Sequence, residues 1–379
     1  MSRRRWIVLL GPPLILAMAA VPALSDRLAV PVGATSLLPP VPISACATAA
    51  GGREPRPGAW WRSAPVLDAS GVLAGWSLQV GAPGRRTSAR DLPAASTISG
   101  PHGGLVLVAV EGPDPLDSAS SVLVIDTARG CAGEIPVRIG IARRAVPDPR
   151  GAGVLVHLLA SDTRRDLGVW RLDPSGEPAE RVLEPLPDAL REQAGMDRVW
   201  TTDLRQDTAG RSLAVQSCHP AGCVTRLADL DGRNVVVVAG PGQGPMIGLS
   251  DGDLVTWGAC PGLPCPVLIW DRGDGRARTV FPGAIGASVA ADERTLVVVH
   301  VAADGTNELL AVDLRSGRQR SLGPADDDVL PLPGGPGAAA GLEVPSTEIG
   351  IGHAGRTPTS LRLTDVPSPT NPPEQVVQP

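Results

Sequence analysis

Two cysteine pairs recur at a fixed offset, and this repeat constrains the chain more than any other feature. Cys218 and Cys223 are followed 42 residues later by Cys260 and Cys265. Each pair sits between two apolar runs, and each second run ends in a polar turn closed by glycine, Gly232 and then Gly275. The same unit runs from Leu105 to Gly130, from Val154 to Gly176 and from Leu296 to Gly317. A shorter copy starts at Val72, and a weak one runs from Glu348 to Asp365. A period of about 40–50 residues with several short strands per unit is the signature of a β-propeller blade. One such unit cannot bury both faces of its sheet, whereas a closed ring of them can. The expected fold is therefore all-β, a β-propeller of six to seven four-stranded blades. A pair of β-sandwiches is the runner-up, and it does not need so regular a repeat. A short helix is expected between Asp188 and Met196, in the longest gap between units.

Composition agrees. Gly and Pro make up 85 of 379 residues, well above the roughly 12% of an average protein, which excludes a helix bundle. The net charge of −5 argues against a nucleic-acid partner. All 34 basic residues are arginine, so a Schiff-base lysine and a P-loop lysine are both excluded. With no Tyr and one Phe, eight Trp supply nearly all the aromatic surface.

The N-terminus reads as an export signal. Arg3, Arg4 and Arg5 precede 19 uncharged residues from Trp6 to Leu24, a basic region followed by an apolar one. Small residues allow cleavage after Ala23 or Ser25, and an uncleaved anchor is the alternative. The start of the chain also loosely resembles a twin-arginine signal. Both readings place the rest of the chain outside the cytoplasm. Residues 1–25 are thus a signal peptide or signal anchor, 26–58 a Pro/Gly/Ala-rich linker, 59–365 the propeller, and 366–379 a disordered Pro-rich tail.

The polar turn that leads into an apolar strand, as in Ala290-Ala291-Asp292-Glu293-Arg294 and again in Gln206-Asp207-Thr208-Ala209-Gly210, resembles the turn of TolB-like, WD40-like bacterial propellers. The turn proline of that family is missing here, and Trp270-Asp271 is the only Trp-Asp pair in the chain. The resemblance implies an exported, non-catalytic propeller and carries over no binding residues.

Six cysteines in an exported chain suit disulfides. Cys218–Cys223 and Cys260–Cys265 are each expected to staple a hairpin, and Cys46–Cys131 follows by elimination. A metal site made from the four repeat cysteines, with His219, is the sharper alternative, but it needs two blade corners to converge on one ion. Ile43-Ser44-Ala45-Cys46 also looks like a lipobox, though it lies about 20 residues past the apolar run.

Motifs of catalysis fail in context. Gly248-Leu249-Ser250-Asp251-Gly252 spells a nucleophile elbow, yet a strand follows it where a helix is required. The glycines from Gly240 to Gly244 lack the helix that would hold a pyrophosphate. Asp229 with Asp231, and Asp326 to Asp328, read as turns and solvated loops, and so does Arg272-Gly273-Asp274. His157 and His300 occupy comparable places in apolar strands and read as core histidines bonded to backbone. No catalytic residue, metal ligand or cofactor is expected.

Candidate binding residues are Trp60 and Trp61, placed before the first unit, and three pairs expected in loops, Arg85-Arg86, Arg143-Arg144 and Arg164-Arg165. Arginine grips carboxylate or phosphate with a planar fork. The expected function is an exported binding scaffold for an unidentified protein or envelope component, touching a membrane only through an uncleaved N-terminus. The alternative is a propeller enzyme, a hydrolase or lactonase with its site in the central channel. The mature chain should fractionate outside the cytoplasmic membrane, and recovery of most of it in the cytosol would refute the export reading.

Overall fold

The computed structural model describes residues 41–46, 56–111, 120–193, 201–219, 222–239, 243–260, 262–326, 329–332, 340–345, 347–353 and 356–363. The N-terminal segment read as an export signal, most of the expected linker, Gly240 to Gly242 and the expected tail beyond 365 lie outside them. The chain forms a seven-bladed β-propeller. Blades 2 to 6 are consecutive antiparallel four-stranded meanders whose innermost strands are Thr97–His102, Ile141–Pro147, Thr201–Gln206, Gln243–Ser250 and Gly286–Val289. Blade 7 has three described strands, Val329–Leu332 innermost, then Glu348–His353 and Thr359–Arg362. The expected helix is present as Asp188–Gln193, between blades 3 and 4.

Blade 1 closes the ring. Its three outer strands, Trp60–Leu67, Leu73–Gly81 and Ser88–Pro93, come from the start of the described chain. Its innermost strand is Ala340–Leu342, antiparallel to Trp60–Leu67. The following residue locks the joint. Glu343 accepts hydrogen bonds from the backbone N–H groups of Arg56 (2.9 Å), Gly103 (3.0 Å) and Gly104 (2.7 Å). Gly341 is required for the close approach, because a Cβ there would lie 2.3 Å from Trp61 Nε1.

Why the strands read as unbroken apolar runs is visible in their packing. Successive side chains point to opposite faces, and here both faces are core. In Leu105–Glu111, Leu105, Leu107 and Ala109 pack towards blade 3 while Val106 and Val108 pack towards blade 1. In Val154–Leu159, Val154, Val156 and Leu158 face blade 2 and Leu155 faces blade 4. Among the described residues an apolar cluster lies at each of the seven blade interfaces. Trp60 and Trp61 follow the same rule. They belong to a strand of blade 1 and are buried, Trp60 against Leu332, Leu342 and Val344, Trp61 against Leu78, Val80 and Val106.

Part of the sequence expected to be linker is structured. Val41–Pro42 adds in parallel to Ser88–Pro93, and Ser44–Ala45 adds in parallel to Cys131–Val137. This strap covers the outer edges of blades 1 and 2, which would otherwise expose unpaired backbone groups. Ile43 packs inward near Trp76 and Ile98, and a disulfide joins Cys46 to Cys131. The other two disulfides are Cys218–Cys223 and Cys260–Cys265, with Cα atoms 4.1 and 5.7 Å apart. Cys218 and Cys223 face each other directly in the strand register.

The repeated turn between the third and fourth strands has one chemistry. An aspartate accepts backbone N–H bonds from the turn, as Asp126 does from Ala128 and Arg129, Asp271 from Gly273 and Asp274, and Asp313 from Arg315 and Ser316. A glycine with positive φ then ends it, among them Gly232 at +71° and Gly317 at +72°. Around Gly317 a Cβ meets nothing within 4 Å, whereas at Gly232 it would lie 1.7 Å from the Val182 carbonyl oxygen. Gly317→Ala should therefore cost only the left-handed conformation, about 1–2 kcal/mol. Gly232→Ala should cost roughly 1–3 kcal/mol more, through overpacking against blade 3. Chemical denaturation of the two variants checks the difference, and equal losses would refute it.

Candidate functional site

Strand direction divides the connections between two faces of the ring. Turns joining the first to the second and the third to the fourth strand of a blade lie on one face, here the turn face. Connections from second to third strand, and from blade to blade, lie on the other, the loop face. Arg85 and Arg86 lie between Leu73–Gly81 and Ser88–Pro93, exposed on the turn face. Arg164 and Arg165 lie between Val154–Leu159 and Asp166–Leu172, on the loop face. Arg143 and Arg144 are not in a loop but on the innermost strand of blade 3.

Two of the three pairs therefore meet. The register of Ile141–Pro147 slips at Arg143, and such slips re-aim side chains. Arg143 turns to Glu111, at the loop-face end of its strand, with Nη1 3.2 Å from Oε2. Arg164, held at φ +57°, reaches the other oxygen of the same carboxylate. Two guanidiniums thus share one carboxylate at the rim, beside the exposed Arg165.

Arg144 enters the channel. Its Nη1 donates to Ile98 O of blade 2 at 2.8 Å, and its Nε donates to Thr202 O of blade 4 at 3.3 Å. Asp203 and Arg205, two residues apart, share one face of the blade 4 inner strand. Arg205 donates through Nε to Asp203 Oδ2 at 3.0 Å and through Nη1 to Ile247 O of blade 5 at 2.6 Å. Asp203 Oδ1 also lies 3.7 Å from Arg144 Nε. Burial opposes the charge on Arg144, Asp203 offsets that cost, and the neighbouring guanidiniums of Arg205 and Arg143 add to it. His102, on the inner strand of blade 2, completes the group. Burial, and then the positive charge of Arg205, push its pKa down to about 4, so the imidazole is neutral at pH 7.

The channel is bridged at the turn face. Thr208, in the turn after the blade 4 inner strand, bonds through N and Oγ1 to the Glu293 carboxylate of blade 6. Its Oγ1 also donates to Ala291 O at 3.3 Å. Asp203, Arg205, Glu111 and Thr208 escaped the sequence reading. The alternation Asp203-Leu204-Arg205, with Leu204 in the core between blades 3 and 4, was the available signal.

The two strand histidines bond to carboxylates, not to backbone. His157 is fully buried, 2.9 Å from Asp166 Oδ1, and Asp166 Oδ2 lies 2.5 Å from Arg226 of blade 4. Burial opposes the Asp166 charge, but His157, Arg226 and the Gly168 N–H outweigh it and hold the carboxyl below the usual carboxylate range. His300 pairs with Glu308 at 3.2 Å. Ser250 of the elbow-like motif is buried at the end of a strand, followed by a tight turn through Asp251 and Gly252. Arg272 of the Arg-Gly-Asp spelling is engaged with Asp229 at 3.0 Å. Among the described residues, no group of three His, Cys, Asp or Glu is placed to hold a metal ion.

No family model matches the sequence, and no curated protein matches it. Several solved structures resemble it in fold. TolB from Acinetobacter baumannii is 13% identical over 81% of this chain and 80% of its own, with a TM-score of 0.39. A puromycin hydrolase is 16% identical over 82% of this chain and 53% of its own, with a TM-score of 0.45. A prolyl endopeptidase is 14% identical over 81% of this chain and 47% of its own, at 0.46. The chain thus spans about half of either enzyme, and these likenesses concern the fold alone.

Neutral His102 makes the folded state bind fewer protons than the unfolded chain once the pH drops below about 6.5, the ordinary histidine value. Stability should therefore fall as the pH is lowered from about 6.5 through about 4. His102→Gln should flatten that interval. Asp166→Asn should change the pH dependence only below about 4, where an ordinary aspartate begins to protonate. Melting temperatures across pH 3–8 check both, and an unchanged slope in His102→Gln would refute the first.

Proposed function

We propose that this protein is an extracytoplasmic, non-catalytic binding propeller that docks an acidic protein or envelope component on its loop face. The observation that carries the reading is the rim of blades 2 and 3, where Arg143 and Arg164 share the single carboxylate of Glu111. Arg143 and Arg164 together exceed the charge of Glu111 by one, and on the exposed side of the same loop Arg165 stands near Asp162. Propeller strands are committed to the core, so recognition falls to loops and to the mouth of the channel. Trp60 and Trp61 serve the ring, being buried on either side of blade 1. Export is supported by the basic-apolar N-terminus and by three disulfides, bonds that persist in oxidising compartments.

Poly-glutamate is a suitable probe of the acidic-partner chemistry. Arg164→Ala with Arg165→Ala should weaken its binding about tenfold, or roughly 1.4 kcal/mol, with little change in melting temperature. Added salt should mimic the loss. Arg85→Ala with Arg86→Ala, on the opposite face, should leave binding unchanged. The reverse ranking would move the docking surface to the turn face, and equal binding by all variants would remove the proposal.

A further inference from the structure

We propose that the outer edge of blade 4 is an interface with a second copy of this chain, the two edges pairing antiparallel about a two-fold axis. This surface is separate from the loop-face rim and independent of docking there. The outermost strand of a blade has one neighbour, so part of its backbone N–H and C=O groups point outward, ready to pair with another chain. Proteins blunt such edges with charge and proline, and here the outermost described strand of every other blade is blunted. Arg90, Glu134, Arg181, Arg278, Arg320 and Arg362 stand in those strands, in blades 1, 2, 3, 5, 6 and 7. Five of the six strands also hold a proline, and the Val41–Ala45 strap covers two of them. Blade 4 is the exception. Its outermost strand, Val236–Ala239, has neither charge nor proline, and among the described residues it pairs only with Gly222–Asp229.

The side chains agree with the backbone. Val238 is buried and Val236 packs with it in the interface with blade 5. Val235 and Val237 point to the opposite face and are 46% and 36% exposed. The entry to the strand is fixed: Asn234, at φ +51°, donates through Nδ2 to Asp229 at 2.6 Å, and its carbonyl accepts from Arg272 at 3.3 Å. A second copy is the occupant this stretch suits. In a two-fold pairing centred on Val237, Val237 meets its own copy, Val236 meets Val238 and Val235 meets Ala239. A charge near the centre would meet its own kind, and like charges directly opposite destabilise a sheet; this stretch has none. The nearest charge, Arg233, lies four residues from the axis. At about 3.3 Å per residue its two copies stand roughly 26 Å apart, well beyond the Debye length of about 8 Å. The two blades thereby join into one continuous sheet, and the exposed valines become cross-strand neighbours. A strand pair this short buries less than the roughly 1,200 Å² of a stable interface, so the dimer is reversible.

Sedimentation velocity of the full chain over a concentration series tests this. The wild type should move from the mass of one chain, 38.9 kDa, to twice that and no further. Val237→Lys and Val235→Lys should each raise the dissociation constant roughly tenfold or more. Their melting temperatures should stay near that of the wild type, because both side chains are exposed. Val301→Lys, at an exposed valine of blade 6, should leave dimerisation unchanged. The register has its own readout. Residues directly opposite in an antiparallel pair lie about 4.5–5.5 Å apart between Cα atoms, within disulfide reach. Val237→Cys should therefore give a covalent dimer on oxidation, and Val301→Cys should not. A wild type that stays monomeric throughout, a dimer that both lysine variants at the edge leave intact, or equal cross-linking of the two cysteine variants would overturn the proposal. Open-ended oligomers would overturn it too, because a closed two-fold pair uses up the edge. At concentrations where the wild type is monomeric, Val237→Lys should bind poly-glutamate equally well, so loss of rim docking and loss of this interface are separable.

Discussion

The interface between neighbouring blades is the constraint on which the rest of this structure depends. A four-stranded sheet has two faces, and in this ring both are interior. Each central strand must therefore supply apolar side chains at odd and even positions alike. Leu213 and Val215 serve one neighbour while Ala214 serves the other, and Val297 and Val299 oppose Leu296 and Val298 in the same way. No blade can bury its surfaces alone, so the ring has to close. The closing strand Ala340–Leu342 does that, and the Glu343 carboxylate ties it to the backbone of blade 2. Burying the two faces of blade 1 also explains the paired tryptophans, one for each neighbour.

From this constraint follows where charge is allowed. Second and third strands are committed to packing, and the charges found there are neutralised on the spot, as in His157–Asp166–Arg226 across blades 3 and 4. Innermost strands are different, because they border the channel. Their contributions are mixed: Leu204 goes to the core while Asp203 and Arg205 do not. Arg144 bonds to carbonyl oxygens of the blades on either side, so the channel residues also brace three adjacent inner strands. The rim cluster ties Glu111 of blade 2 to Arg143 on the innermost strand of blade 3.

Much of the fold was legible in the sequence because the repeat is chemical as well as spatial. A paired cysteine, an aspartate ending the third strand and a glycine after it mark the same places in successive blades. The seventh blade was faint for a physical reason. Its inner strand is separated from Glu348–His353 by an excursion that gives three residues to blade 1, so no continuous unit exists to be read. The Val41–Ala45 strap was missed because two-residue strands carry no periodicity. The site was less legible. Arg143 and Arg144 looked like loop residues because charge in a strand usually signals exposure, and the channel is the place in this fold where that inference fails. The convergence of Arg143 with Arg164, and the separation of both from Arg85, depend on which face each connection occupies. That is a property of the closed ring and not of any segment.

The absence of lysine from the chain bears on this arrangement. An ammonium is a compact, strongly hydrated charge that loses its proton readily when buried, whereas a guanidinium stays protonated and spreads its donors over a plane. Arg226 is almost fully buried yet bonds to Asp166 and to the Glu184 carbonyl. Arg144 and Arg205 each bond to a carbonyl oxygen of a neighbouring inner strand while turning to the same carboxylate. A lysine in any of these places offers one nitrogen where several acceptors at fixed angles have to be met. Burial lowers the proton affinity of Arg144 and Arg226, but from so high a starting value that both remain cations at any physiological pH. The channel guanidiniums therefore stay charged however dry their surroundings become, which is why each of them is tied to a carboxylate and to carbonyl oxygens of the neighbouring inner strands.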